Sequence, residues 1–210
     1  MRDLPLLDRI IDEVSGELFR AQLYLSVAFA LNEKYKEDKI TSLRYFFYGS
    51  YYASLREGLL SFTKLLIPHQ ESISFDYLLN YAMSNPGEYG NSKPDQVKAM
   101  VRRHKDHIKS LGDLVERLKL IRDMDLAHLD KRRITHPKDL VPEPIDLTEL
   151  DQALHTLLLV VNEHDAAHRS KEMHLQHIRD FTTRDLDYIV GLIDSADKPP
   201  QALSSKSGAI

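Results

Sequence analysis

The sequence predicts an all-α protein, an antiparallel up-and-down bundle of long helices. Apolar residues recur three and four positions apart through most of the 210 residues, which is the spacing of helices that bury one face. Alternating apolar and polar runs, which would indicate strands, are missing from the sequence. The prolines lie between the periodic segments rather than inside them, so each segment is expected to form a helix that ends before the next proline.

Two long helices are predicted in the first third of the chain. The stripe of the first helix comprises Leu7, Ile11, Val14, Leu18, Ala21, Leu25 and Ala28. The stripe of the second comprises Leu43, Phe47, Tyr51, Leu55, Leu59, Phe62 and Leu66. Pro68 is expected to end this second helix, because proline has no backbone N–H to donate. The aromatic run from Tyr45 to Tyr52 could stack on nucleic-acid bases, but such rings more often fill a bundle or a dimer face.

A short helix and a further long helix are predicted in the middle of the chain. The short helix is expected over Phe75–Ala82, and turn residues predict a loop over Asn85–Asn91. The long helix is expected to begin near Pro94, since proline suits the first turn of a helix. Its inward stripe leads to Arg122. Gly112 lies in the middle of this helix and predicts a kink or a helix in two parts.

A connection separates this region from the last two predicted helices. Three prolines between Thr135 and Pro144 exclude a continuous helix there. The pattern Asp146-Leu147-Thr148-Glu149 is typical of a capping box and predicts a helix start. The stripe of that helix continues into His164 and His168. A second box over Thr182–Asp185 predicts the start of the last helix. Its inward residues are expected to be Leu186, Ile189, Val190 and Ile193.

Composition narrows the class of protein. Hydrophobic residues make up 42% and charged residues 29% of the chain, which is ordinary for a soluble globular protein. There is no cysteine, so disulfides and thiolate metal sites are excluded. No signal-peptide core and no apolar run of about 20 residues is present. We expect a cytoplasmic protein without a membrane segment, with residues 1–195 forming one helical domain and residues 196–210 a disordered tail.

Charge is distributed unevenly along the chain. The formal net charge is −4, yet residues 93–133 hold twelve basic and seven acidic side chains. This local excess of positive charge could attract a polyanion. A solvated helix face of mixed sign would show the same composition.

The stretch from Ile121 to Asp130 carries the most specific chemistry. Arg122 is followed by Asp123 and, five residues later, by His128. Arginine presents a permanently charged fork of donors that suits a phosphate, and histidine takes up and returns a proton near neutral pH. These are the groups that a metal-independent ribonuclease needs. His128 would act as general base or acid, and Arg122 would stabilise charge on the phosphate.

Further charged residues surround this pair. Asp123 could orient Arg122 or a histidine of a partner subunit, and Asp125 could pair with His128 and raise its basicity. Flanking phosphates could be positioned by the basic run Lys131, Arg132 and Arg133. The same residues would also suit a purely structural salt-bridge cluster at a helix end.

The spacing of the motif restricts how it can work. On a straight helix, six residues turn the side chain by about 600° and rise about 9 Å, so Arg122 and His128 would point about 120° apart. One phosphate could be gripped if the helix ends or bends within Met124–Ala127. Alternatively, two copies of the motif could face each other across a two-fold axis. The spacing favours these two arrangements without choosing between them.

The string Arg122-Asp123-x4-His128, late in an all-helical chain, resembles the signature of the HEPN superfamily. The residues around it look most like the AbiU2-like branch, and the resemblance in helical order covers about residues 5–195. It implies an HEPN-like fold and a homodimer with the motifs apposed at its interface. It further implies an endoribonuclease that needs neither metal nor cofactor. Such proteins are often toxins or phage-defence effectors, sometimes paired with a nucleotidyltransferase antitoxin.

Two other classes of function stay open at this point. Many HEPN proteins are thought to be inactive binding or assembly modules, so a catalytically silent helical module is the first alternative. The second is a metal-binding bundle, because His164 and His168 lie one turn apart on one helical face. Histidines that are partly buried or exposed and bind no metal would give the same pattern.

Overall fold

The computed structural model describes residues 5–37, 39–40, 43–68, 72–123, 145–171 and 176–196. Within these ranges all regular secondary structure is helical, which confirms the predicted all-α fold class. The α-helices are α1 Leu6–Lys36, α2 Arg44–Leu66, α3 Phe75–Ser84, α4 Pro94–Ser110, α5 Gly112–Ile121, α6 Leu147–Arg169 and α7 Gln176–Ala196. A 3₁₀ turn, Pro86–Glu88, interrupts the predicted loop between α3 and α4.

Helices α1 and α2 form an antiparallel hairpin. At one end, the Tyr35 hydroxyl donates to the Arg44 carbonyl at 3.2 Å, which joins the end of α1 to the start of α2. At the other end, Lys64 Nζ lies 3.2 Å from Glu17 Oε1. The two helices approach each other closely at Gly58, because a Cβ atom at this position would stand only 2.6 Å from Leu25 Cγ. The absence of a side chain there allows the two helices to pack.

Helix α6 crosses the bundle in the opposite direction to α1 and to the α4–α5 pair. Near its end, Arg169 Nη1 lies 2.6 Å from Asp12 Oδ1, close to the start of α1. An ion pair between Glu149 and Arg117 joins the start of α6 to α5. These contacts place the end of α1, the start of α2, the end of α5 and the start of α6 at one end of the bundle. We call this the motif end, because Arg122 directly follows α5.

One apolar core runs through α1 to α6. The seven predicted stripe residues of α1 are all fully buried, and Phe62 and Phe75 are the largest side chains with complete burial. Complete burial of an aliphatic or aromatic side chain stabilises a fold by about 1.5–3 kcal/mol. A second, smaller cluster joins Leu31, Phe47 and Val190 between the end of α1, the start of α2 and α7. The bundle is therefore held by a long central core and a satellite core at the motif end.

Several predicted helix ends are confirmed. Helix α2 ends at Leu66, before Pro68. The predicted break at Gly112 is real, since Leu111 leaves helical geometry with φ −86° and ψ 8° and separates α4 from α5. Asp146 caps α6, its Oδ1 accepting from the Thr148 N–H at 2.9 Å. Glu149 pairs with Arg117 across the bundle.

Three local predictions are wrong. Leu43 does not join the apolar stripe of α2, because it precedes the helix in a left-handed conformation and its side chain is exposed. The last described helix is already formed at Gln176, six residues before the predicted box. The Thr182 hydroxyl donates to the Ile178 carbonyl inside the helix instead of capping its start. Ile189, expected to face inward, is 46% exposed.

The apolar stretches of this fold are those of a bundle core. Within the described residues, none of the helices combines the length and hydropathy that a membrane crossing would require. The disordered tail was predicted over residues 196–210. Ala196 is instead the last residue of α7, and residues 197–210 lie outside the described residues.

Candidate functional site

The described part of the predicted site lies where α5 ends. At Arg122 and Asp123 the backbone widens from α-helical to π-helical geometry. Arg122 Nε donates to Asp123 Oδ1 at 2.7 Å, and Arg122 Nη2 lies 2.6 Å from the same oxygen. The Arg122 side chain is 30% exposed. Asp123 thus orients a guanidinium that solvent can still reach, at the motif end of the bundle.

The other residues of the predicted site lie outside the described residues. They are Asp125, His128, Lys131, Arg132 and Arg133. The segment Met124–Ala127, where the helix ends or bends in one of the two predicted arrangements, also lies there. Within the described part, regular α geometry already ends at Ile121, just before Arg122. The described part therefore does not choose between the two arrangements that the spacing of the arginine and the histidine allows.

A polar cleft of about 430 Å³ opens at the motif end, between α1, α6 and α7. Arg179 of α7 crosses it, donating from Nη1 to Asp151 Oδ2 at 2.7 Å and standing 5.2 Å above the Phe29 ring. Lys36 adds a second cation, and Asp146 a further acid. Because the two signs of charge alternate along its walls, the cleft lacks the cationic lining that a phosphate chain would need.

A hydrogen-bonded chain of buried polar residues crosses the opposite part of the bundle. Tyr89 Oη lies 2.6 Å from Nδ1 of His164. His164 Nε2 lies 3.2 Å from Nδ1 of His104, and His104 Nε2 lies 3.1 Å from Oε2 of Glu163. At the surface, Arg103 forms an ion pair with Glu163. Tyr89 and both histidines are almost completely buried, so the chain leads from the core to solvent.

The chemistry of its outer end sets the direction of this chain. An ionised carboxylate only accepts hydrogen bonds, so Glu163 requires a proton on His104 Nε2. His104 Nδ1 is then an acceptor, which requires a proton on His164 Nε2. His164 Nδ1 in turn accepts from the Tyr89 hydroxyl. Each ring nitrogen then has one hydrogen-bond partner while both imidazoles are neutral. This holds only when all the bonds run in the same direction, from the Tyr89 hydroxyl and through the two rings.

Burial favours this neutral state. Removal from water, together with a smaller contribution from the nearby His104, lowers the pKa of His164 to about 3. Desolvation also lowers the pKa of His104, although Glu163 acts in the opposite direction. Burial raises the pKa of the Tyr89 hydroxyl as well, so it stays a donor. Near neutral pH the two imidazoles and the phenol of this hydrogen-bonded chain are therefore uncharged, and its charges lie at the exposed pair of Glu163 and Arg103.

Replacing Tyr89 with phenylalanine is expected to destabilise the protein by about 1–3 kcal/mol. The substitution leaves His164 Nδ1 without a donor inside the core, and an unsatisfied buried acceptor carries that cost. Denaturant unfolding at pH 7.5 measures the change. The matched control is Tyr77→Phe on the exposed face of α3, for which a change within about 0.5 kcal/mol is expected. Equal effects of the two substitutions would contradict the assigned bond.

A second polar cluster joins the end of α6 to the start of α1. His168 Nδ1 lies 3.1 Å from the Glu88 carbonyl oxygen, and its Nε2 lies 3.2 Å from Asp8 Oδ1. Arg169 Nε donates to Asp165 Oδ1 at 2.6 Å. Hydrogen bonding to Asp165 and Asp12 raises the pKa of Arg169 above its ordinary value. These bonds fasten the two helix ends together.

The structure gives the two candidate metal ligands separate partners. His164 Nδ1 and Nε2 contact Tyr89 and His104, whereas the nitrogens of His168 contact Glu88 and Asp8. Across the described ranges, no group of three or more His, Asp or Glu side chains could hold a metal ion. Their one-turn spacing brings both rings to the same Tyr89 ring and not to a common ligand position.

Sequence analysis missed the buried chain, although part of its signal was visible. His104 and His164 both occupy inward positions of apolar stripes, where an imidazole needs a partner. What periodicity could not show is that α4 and α6 lie side by side, with Tyr89 from the loop before α4 completing the hydrogen-bonded chain. Comparisons of this chain with protein-family models, with curated proteins and with solved structures found no match.

Proposed function

We propose that the protein is an endoribonuclease of HEPN type that uses Arg122 and His128 and needs no metal ion. The observation that carries the proposal is the Arg122–Asp123 pair, which holds a partly exposed guanidinium where regular α geometry ends. Its support from sequence is the Arg122-Asp123-x4-His128 motif. Two copies of the chain would contribute their motifs to one composite site at a homodimer interface.

The proposed reaction is an internal transesterification of RNA. His128 of one subunit takes the proton of the 2′-hydroxyl, and the 2′-oxygen attacks the adjacent phosphorus. The bond from phosphorus to the 5′-oxygen breaks, and a protonated His128 of the other subunit supplies the proton to that oxygen. Arg122 stabilises the additional negative charge on the phosphate oxygens. The products are a 2′,3′-cyclic phosphate and a 5′-hydroxyl, and DNA is excluded because it lacks the nucleophile.

The remaining motif residues have supporting roles in this proposal. Asp123 keeps the Arg122 fork in place, and Asp125 raises the basicity of His128. Neighbouring phosphates are held by Lys131, Arg132 and Arg133, which bind backbone without reading sequence. The enzyme would act on cytoplasmic RNA as a toxin or phage-defence effector. A nucleotidyltransferase-type antitoxin is its proposed regulatory partner.

Cleavage of a short RNA by purified, untagged protein in the presence of a chelator tests the proposal. We expect the wild type to release cyclic-phosphate ends and His128→Ala to lower the rate by about 10²–10⁴-fold, the usual contribution of a positioned acid or base. Arg122→Ala should lower the cleavage rate by at least about 10²–10³-fold, which is the usual loss when one donor that stabilises an oxyanion is removed. The matched control is His155→Ala, which removes an exposed histidine of α6 and should leave the rate unchanged.

Three results would contradict the proposal. They are cleavage that disappears in chelator, cleavage that survives both motif substitutions, and intact RNA after incubation with folded wild-type protein. The last result would favour the alternative of a catalytically silent binding or assembly module.

A further inference from the structure

The outer side of α2 carries an uncovered row of aromatic rings. Tyr45, Tyr48 and Tyr52 are 95%, 55% and 50% exposed. Their spacing of three and four residues places them on one side of the helix, opposite Phe47, which is buried in the satellite core. The rings of Tyr48 and Tyr52 lie 4.5 Å apart. The aromatic run therefore does not fill the bundle, apart from Phe47 and the half-buried Tyr51.

Gly49 leaves a gap in the middle of this row. No heavy atom lies within 4 Å of the position that its Cβ would occupy, and the residue is exposed. A glycine inside a helix makes that helix less stable than an alanine would. Among the residues that the structure describes, no contact requires a glycine here, in contrast to Gly58, where a side chain would collide with Leu25.

We propose that a second copy of the chain docks on this surface, with the two α2 helices antiparallel across a two-fold axis near Gly49. We call the surface the aromatic face. It consists of Leu43, Tyr45, Phe46, Tyr48, Gly49 and Tyr52. The inference rests on the proposed function for the existence of a dimer, and it adds the surface through which the dimer forms.

The order of residues along the aromatic face makes it complementary to itself. Tyr45 lies four residues before Gly49 and Tyr52 three residues after it, which are distances of about 6 and 4.5 Å along the axis. When a second α2 runs in the opposite direction, Tyr45 of each helix lies beside Tyr52 of the other. The two gaps at Gly49 then face each other, so the helix axes can approach closely. An isologous interface needs such a pattern, because the same patch must serve both subunits.

The exposed area lies at the lower end of what stable interfaces bury, which is about 1,200 Å² in total or about 600 Å² per partner. The four aromatic rings are each half or more exposed, and Leu43 is 59% exposed. With about 150–250 Å² for each aromatic side chain, the face offers on the order of 600 Å² of mostly apolar surface. A standard interface buries about 800 Å² per partner. The largest apolar patch of an ordinary monomer is about 300–600 Å².

The charge of the aromatic face selects a protein partner over nucleic acid. None of its six residues is charged. Aromatic platforms for single-stranded RNA combine their rings with a positively charged groove that follows the phosphates. Arg44, the nearest cation in sequence, turns back and donates from Nε to the Ile40 carbonyl at 3.2 Å. An uncharged, self-complementary row of rings suits the same surface of another subunit.

The position of the face connects it to the proposed active site. The first half of α2 lies at the motif end, and α2 packs against α5, which leads directly to Arg122. Because Gly49 lies close to the motif end, a two-fold axis there would bring the two motif ends, and with them the two copies of Arg122, toward the axis at the middle of the dimer. This is the arrangement that a composite site with one arginine and one histidine from each subunit requires.

Sedimentation equilibrium of the wild type, of Gly49→Glu and of Gly16→Glu tests the inference. Gly16 is the matched control, because it is also a helical, exposed glycine with open space at its Cβ position. The wild type is expected at twice the 24.2 kDa chain mass. Gly49→Glu is expected to raise the dissociation constant at least 100-fold, since two carboxylates would meet at the two-fold axis, and Gly16→Glu should leave it unchanged. Tyr52→Ala, which adds no charge, should also weaken the dimer.

The outcomes separate this inference from the proposed nuclease. A monomeric wild type overturns the proposed interface. The aromatic face would then serve another occupant, which could be other residues of the chain, RNA or a different protein. A dimer that Gly49→Glu and Tyr52→Ala leave intact also overturns it. If both substitutions give folded monomers but the wild type cleaves no RNA, the interface stands and the nuclease proposal fails. If the wild type cleaves RNA through the motif but its dimer is unaffected by both substitutions, the nuclease proposal stands and the proposed interface fails.

Discussion

Lowering the pH from 7 towards 4 is expected to destabilise the protein by several kcal/mol, largely through the buried histidine chain. Burial lowers the pKa of both His104 and His164 in the folded protein, to about 3 for His164. In the unfolded chain both imidazoles titrate near their ordinary pKa of about 6.5. Above that pH both states are neutral at these residues, and the full stabilisation is present.

The effect appears as the pH falls below about 6.5. Below this pH each of these histidines binds a proton in the unfolded chain but stays neutral in the folded core. Each of them therefore lowers the free energy of unfolding by about 1.4 kcal/mol for every pH unit. For His164 this loss continues until the pH approaches 3. Protonation of His104 would also place a proton on its Nδ1, facing the donor on His164 Nε2, and would disrupt the direction of the whole chain.

Denaturant unfolding at several pH values between 8 and 4, with His164→Gln beside the wild type, measures this contribution. A glutamine amide can accept from the Tyr89 hydroxyl and donate to His104 Nδ1, but it does not titrate. As the pH falls, we expect the stability of His164→Gln to decline less steeply than that of the wild type. The two slopes should differ by about 1.4 kcal/mol per pH unit, which corresponds to one proton fewer taken up on unfolding. His155→Gln, at an exposed position of α6, should retain the wild-type slope. Identical slopes for wild type and His164→Gln would contradict a neutral buried His164.

Replacing Gly58 with alanine is expected to destabilise the protein by about 1–3 kcal/mol, the usual cost of overpacking a core. The added methyl group would stand 2.6 Å from Leu25 Cγ and 3.2 Å from the Leu25 backbone nitrogen. Helix propensity alone predicts the opposite sign, a gain of about 1 kcal/mol. Packing is expected to win, because both the side chain and the backbone of Leu25 are held in the α1–α2 hairpin.

Thermal or denaturant unfolding of Gly58→Ala and Gly16→Ala separates packing from propensity. Gly16 lies in α1 with open space at its Cβ position, so alanine there should stabilise the protein. A double-mutant cycle with Leu25→Ala supplies a second check, since the smaller side chain makes room for the new methyl group. The double variant should therefore lose less than the sum of the two single variants. Stabilisation by Gly58→Ala would show that the helices are not in close contact there.

Periodicity predicted the helices well where one face is buried along its whole length. The stripe of α1 is buried at every predicted position, because the helix packs against neighbours from end to end. The prediction was less accurate for Ile189 in α7, which lies at the edge of the bundle and has packed neighbours on fewer sides. A hydrophobic repeat indicates which side of a helix is apolar, but the burial of each residue depends on what lies opposite.

The Arg122–Asp123 pair could be anticipated because both residues are adjacent in sequence. The contacts of Tyr89 with His164 and of His104 with His164 could not, since they join residues 75 and 60 positions apart. Local spacing also suggested a shared ligand position for His164 and His168. Their actual partners come from other parts of the chain, and these partners decide what each imidazole does.

The amino-acid sequence by itself determined the all-α class, the inward faces of the long helices, the break at Gly112 and the presence of an arginine and a histidine six residues apart. Tertiary structure decided which inward residues meet, and it left the rings of Tyr45, Tyr48 and Tyr52 uncovered. The physical reason is that helix formation follows from contacts three and four residues apart. Burial, desolvation and the pairing of polar groups depend on neighbours that only the packing of the bundle brings together.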